Sequence, residues 1–272
     1  MIKRDDTNVD SEKRGKLLLI AAVIALAIFV FKVSQVQTET LIWRVYMHAF
    51  LYALVVFVGL LWAFNFQVKK KSFLYLFQAS LFVFAEVLFV ELFFFQKFSR
   101  VYEAIILLVL IILIFLMNYF VFLMTNVFNV NLFRSIPLMQ VGRTVSYLAS
   151  VFMAYFFTFS LLASGFAPYI SLPVILLAYI LVVILHYINI DIVGGELLRK
   201  TAMTVLIMVI LLLSVLFFGN VHEVISFAPV VGYFLSVNVI THEKIAKGDV
   251  KSLAMYIFLL PVSMILILFF NR

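Results

Sequence analysis

The chain has 272 residues, of which 66% are hydrophobic and 12% charged, with no cysteine. A soluble globular domain carries about 45–50% apolar and about 25% charged residues, so this composition excludes a water-soluble fold and points to an all-α, polytopic transmembrane helix bundle with short loops. The net charge of +7 then faces membrane lipid headgroups rather than nucleic acid, and the lack of cysteine removes disulfides, thiolate metal sites and thiol nucleophiles.

Residues 1–16 form a charged cytoplasmic tail, followed by a single transmembrane helical domain over 17–272. Within it, apolar runs near 17–33, 41–66, 73–95, 104–128, 143–164, 168–190, 201–219, 224–241 and 253–270 predict about nine spans. The first run, after its basic segment, superficially matches a secretory signal. The stretch FKVSQVQTET that follows has no small-x-small cleavage site, so the run is expected to be a retained span.

The second run presents Arg44, His48 and Tyr52 at intervals of four, on one helical face. In the third run stand Gln78, Glu86 and Glu91. A carboxylate in hydrocarbon is costly, which makes it a functional candidate by default. If this helix runs outward from residue 73, Glu86 lies about 20 Å along it, past the midplane, and Glu91 nearer the outer surface. The connection at 67–72, with Lys69, Lys70 and Lys71, is short enough to make the two helices neighbours. These features together predict a polar ladder in which Arg44 and His48 neutralise or hydrogen-bond the two glutamates, with Gln78 extending it inward. Such a ladder either pins two helices together or handles protons or cations at Glu86, with His48 as relay.

Further along, the segment from Asn129 to Thr144 mixes apolar residues with Arg134 and Gln140 and is expected to lie at the membrane surface. The fifth helix carries Gly142, Ser146, Ser150, Ala154 and Thr158, a stripe of small residues at intervals of four, and Ala228, Gly232 and Ser236 form a shorter stripe on the eighth. Small side chains let another helix backbone approach closely; the alternative use of such a stripe is an open cavity. Pro173 falls in the first turn of the sixth run, Pro229 one turn into the eighth and Pro261 near the middle of the ninth, where a kink is expected.

His186, Asn189, Asp191 and Glu196 gather near the end of the sixth run, while Asn118 and Asn238 are isolated polar residues within others. His222 with Glu223 and His242 with Glu243 form pairs, yet no HExxH or other metal-ligand spacing occurs. Neither a Gly-rich phosphate loop nor a nucleophile elbow is present, so no metal, cofactor or catalytic residue is predicted.

With the N-terminus inside, fifteen of the twenty Lys and Arg residues fall on the cytoplasmic side, as the positive-inside rule requires. The C-terminus is then outside, in the cell membrane. The connections near 165–172 and 220–223 contain no Lys or Arg, so seven spans would satisfy the same count. Three functions suit this architecture: a carrier for a small solute or lipid, proton-coupled through Glu86; an intramembrane enzyme acting on a lipid or lipid-linked substrate near His186; or an assembly subunit whose small-residue stripes bind other membrane helices. Oligomeric state is not legible.

Overall fold

A computed structural model describes residues 5–34, 41–68, 70–93, 101–129, 136–216 and 221–241. Within them the chain forms nine helices and no strand: α1 Asp5–Ser34, α2 Ile42–Ala63, α3 Lys70–Phe93, α4 Val101–Asn129, α5 Ile136–Ala163, α6 Pro168–Asn189, α7 Gly195–Leu216, α8 His222–Ile225 and α9 Phe227–Thr241. Seven of these, together with α8 and α9 as one broken segment, make eight helices long and apolar enough to cross a membrane. Their outward faces bear exposed apolar side chains such as Leu54, Val58, Leu113, Leu177 and Leu206, which only a hydrocarbon solvent tolerates in such number. The protein is an integral, multi-pass helical membrane protein. The ninth predicted span, 253–270 with Pro261, lies outside the described residues.

Several boundaries differ from expectation. The tail is helical from Asp5 onward, continuous with the first span. Much of the segment predicted to lie at the membrane surface belongs to α5, which begins at Ile136; Pro137 falls in the first turn, where a missing N–H costs nothing. Pro168, not Pro173, opens α6, and Pro173 lies inside that helix, leaving the carbonyl four residues back without its usual donor. Pro229 sits in the first turn of α9. Its ring excludes a bond to the carbonyl of Ile225, where α8 stops, and Ser226 between the two helices ties its hydroxyl back to the carbonyl of His222 at 2.7 Å. The joint near 168 connects two helices each long enough to span, and Gly165 takes the left-handed conformation (φ 67°) that closes this turn.

Both tryptophans of the chain stand on α2, Trp43 and Trp62, and both are exposed. Nineteen residues separate them, about 28 Å of helix, close to the about 30 Å of a bilayer's hydrocarbon core, whose two boundaries attract this side chain. The Lys16 ammonium lies 5.0 Å from the Trp62 ring centroid and 3.2 Å from Asn65 Oδ1, at the turn where Asn65 and Phe66 are left-handed.

The helices gather into two compact units, Met1–Ala149 and Ser150–Arg272, the division falling inside α5; the sequence alone suggests one domain. In the first unit α1 packs on α2, α2 on α3, α3 on α4 and α4 on α1, a closed ring of four. Its most buried member is α3, with 67% of its span covered against 22% for α2, because α3 carries Gln78, Ser80, Glu86 and Glu91, which hydrocarbon does not accept. In the second unit α7 packs against both α6 and α9.

Candidate functional site

The residues with chemical potential in the first unit lie on or against α3. Glu86 is 1% exposed. Its Oε2 accepts a hydrogen bond from Asn118 Nδ2 of α4 at 2.7 Å. Glu86 Oε1 and Asn118 Oδ1 have no hydrogen-bond partner among the described residues. Two acceptor oxygens are therefore left over in one acid–amide pair, and a proton carried on Oε1 would convert one of them into a donor.

Glu91, two residues from the end of α3's span, is met by α1. Lys32 Nζ lies 3.5 Å from Glu91 Oε2 and 3.3 Å from its backbone carbonyl, both side chains buried. Such a pair survives in a low dielectric only because each charge compensates the other. Tyr52 of α2 is half-buried and close enough to feel the charge of Glu91.

Helices α2 and α3 are neighbours, as expected, but the ladder between them is not built as predicted. Of its three members on α2, Tyr52 is the one placed near a glutamate. Arg44 is exposed, and the His48 ring packs edge-on against Phe31, centroids 4.6 Å apart. The reason is rotational. Five residues separate Glu86 from Glu91, which places them about 140° apart around the axis, so the two cannot both face α2. Glu86 turns to α4 and Glu91 to α1. The sequence counts Lys32, at the end of the first apolar run, among the basic residues of the outer side, and leaves Asn118 an isolated polar residue. The signal for Lys32 was its place at the very end of an unbroken apolar run, without a turn residue before it.

Gln78 completes the polar set of α3: its Nε2 donates to Ser146 Oγ at 3.4 Å. This bond and Gly142, where an added Cβ would come within 3.2 Å of the Phe128 ring, seat the first half of the α5 stripe against α3 and α4. In the second unit Ser150, Ala154 and Thr158 are also buried. Thr158 Oγ1 donates to the carbonyl of Ala154 and stands 2.6 Å from Tyr179 Oη, which therefore donates to it. The shorter stripe packs still more tightly. A Cβ at Gly232 would meet Met208 Cα at 3.1 Å, so α7 and α9 touch backbone to backbone.

Near the end of α6 the four predicted residues are divided. His186 and Asn189 are buried, His186 between the rings of Tyr187 and Tyr233, whereas Asp191 and Glu196 are exposed, and Glu196 pairs with Lys200 at 3.4 Å. Tyr187 Oη lies 2.7 Å from Thr204 Oγ1. Among the described residues no three His, Asp or Glu side chains gather as a metal site would need. An apolar groove of about 310 Å³ between α1 and α4, lined by residues such as Ala22, Ala25, Phe29, Leu108 and Phe115, offers room for hydrocarbon but no reactive group.

No family model, characterised protein or solved structure matches the chain. What it can do is therefore argued from these side chains. Among the described residues of the first unit, Glu86 is the buried carboxyl that stands outside an ion pair.

Proposed function

We propose that this protein is a carrier for a small solute or lipid in the cell membrane, with the N-terminus cytoplasmic and the C-terminus outside, and that transport is coupled to a proton held on Glu86. The observation that supports this most is the Glu86 carboxyl itself: buried at membrane depth, bonded through one oxygen to Asn118, and with the other oxygen lacking a partner among the described residues. A carboxyl retained in hydrocarbon at such cost is most often kept for what it carries. The orientation rests on the excess of Lys and Arg on one side.

An intramembrane enzyme is supported less well, since Asp191 and Glu196, the carboxylates nearest His186 in sequence, are exposed while His186 is buried among aromatic rings. The assembly reading is weakened by the burial of both small-residue stripes within the chain itself.

Infrared spectroscopy of the purified protein in lipid tests the proposal. The carboxyl C=O band of Glu86, assigned through its loss in Glu86→Gln, is expected to disappear and return as pH is cycled across the physiological range. A Glu86 whose protonation never changes over that range would sink the coupling role.

A further inference from the structure

The buried polar groups of the first unit are layered along α3 and α4, and the layers are unequally spaced about Glu86. Two contacts set the register of these antiparallel helices: the Glu86–Asn118 bond and the stacked rings of Tyr75 and Phe128, centroids 4.5 Å apart. Between them, one turn from Glu86 on the same face of α3, stands Phe82; one turn from Asn118 on the same face of α4 stands Phe122. Both are 0% exposed. The two phenylalanines therefore occupy one level of the α3–α4 seam.

Beyond that level lies Gln78, eight residues or about 12 Å from Glu86, and its amide is engaged with Ser146. The hydroxyls in this stretch are tied to their own helices: Ser80 donates to the Leu76 carbonyl and Thr125 to the Phe122 carbonyl, at 3.0 and 2.6 Å. No polar side chain of the α3–α4 face bridges the phenylalanine level. In the opposite direction the next buried ionisable group on α3 is Glu91, five residues or about 7.5 Å further along the axis, turned toward α1 and paired with Lys32.

We infer that Phe82 and Phe122 form the barrier that closes Glu86 off from the end of the first unit where α3 begins, so that protons exchange with Glu86 from the end carrying Lys32 and Glu91. The inference rests on the carrier reading. Access from one side alone is what such a carrier requires at rest: a proton moves on and off Glu86 Oε1, but none crosses.

Shortening the barrier should open the second side. Wild-type protein, Phe82→Ala, Phe122→Ala and the double variant Phe82→Ala/Glu86→Gln are reconstituted in vesicles holding a pH-sensitive dye, and proton entry is driven by a potassium diffusion potential. Wild-type vesicles are expected to stay tight. Either alanine variant should conduct protons about tenfold faster, equivalent to about 1.4 kcal/mol removed from the barrier, and Glu86→Gln should abolish the gain. Tight vesicles from both alanine variants, with helix content and monodispersity intact, would overturn the inference. So would a leak that persists in the double variant, since the proton path would then bypass Glu86. Phe82→Leu keeps most of the barrier's bulk, and it should remain tight; if the alanine variants do not fold, a leaky Phe82→Leu counts against the inference and a tight one carrying wild-type proton exchange at Glu86 supports it. Failure of the carrier reading is seen separately, as a Glu86 infrared band in the wild type that never responds to pH.

Discussion

The two units bury different chemistry. In the first, the interior holds Glu86, Glu91 and Lys32, groups that carry or can acquire charge; in the second, it holds Tyr179, Tyr187, Tyr233, Thr158, Thr204 and His186, hydroxyls and one imidazole with no buried carboxylate among the described residues. The Lys32–Glu91 contact of the first unit is a dependence of one charge on its compensating partner. Each second-unit contact is a modest hydrogen bond added to helices already held by close packing, above all at Gly232. Polar groups in a membrane interior are thus of two kinds: charge that must be answered by a partner, and neutral hydroxyl pairs that add registry.

The comparison is broken most sharply at Lys32. Lys32→Ala leaves Glu91 buried and uncompensated, and should cost about 3–5 kcal/mol of stability, measured as unfolding in mixed micelles. The double variant Lys32→Met/Glu91→Leu should recover most of that loss. A mild single variant would mean that Glu91 reaches water, and the contrast between the units would fail.

Backbone packing gives the next effect. Gly232→Ala drives a Cβ against Met208 Cα, which cannot swing aside, and should destabilise by about 1–3 kcal/mol. Gly142→Ala meets the tip of the Phe128 ring instead, a side chain able to shift, and should cost well under half as much. Equal losses in the two variants would show that rigidity is not concentrated in the second unit.

The smallest change is expected at the hydroxyls. Tyr179→Phe removes the 2.6 Å bond to Thr158 and should cost about 0.6 kcal/mol, at most about 1.7, with no effect on proton exchange at Glu86. A larger loss, or altered exchange, would move the hydroxyl pairs into the same class as the charged groups.

How much of this was legible beforehand depends on the kind of residue. Glu86 and Glu91 stand out because an acid amid phenylalanines and valines has no bland explanation in composition. The stripe from Gly142 to Thr158 was legible too, since its spacing alone places it on one face, and all five residues are buried. Asn118 was not legible as the partner of Glu86: its spacing with Thr125 and Asn126, at i, i+7 and i+8, marks the inward face of α4, but no local pattern says which helix that face meets. Lys32 was hidden by a sound rule misapplied: a basic residue at a span's end ordinarily reaches for water, yet here Glu91 offers it an anion in the interior.

By itself the sequence determined the class of the protein and most of its helical runs. Hydrocarbon obliges every backbone amide to be satisfied within its own helix, so length and apolarity suffice to place a span. Only the tertiary structure decided the partners. In an apolar medium a greasy helix loses little by rotating about its own axis, so the rotation of α3 was set by the few contacts that reward one orientation: Asn118 for Glu86, Lys32 for Glu91 and Ser146 for Gln78. Those contacts join residues far apart in the chain, and no local pattern records them.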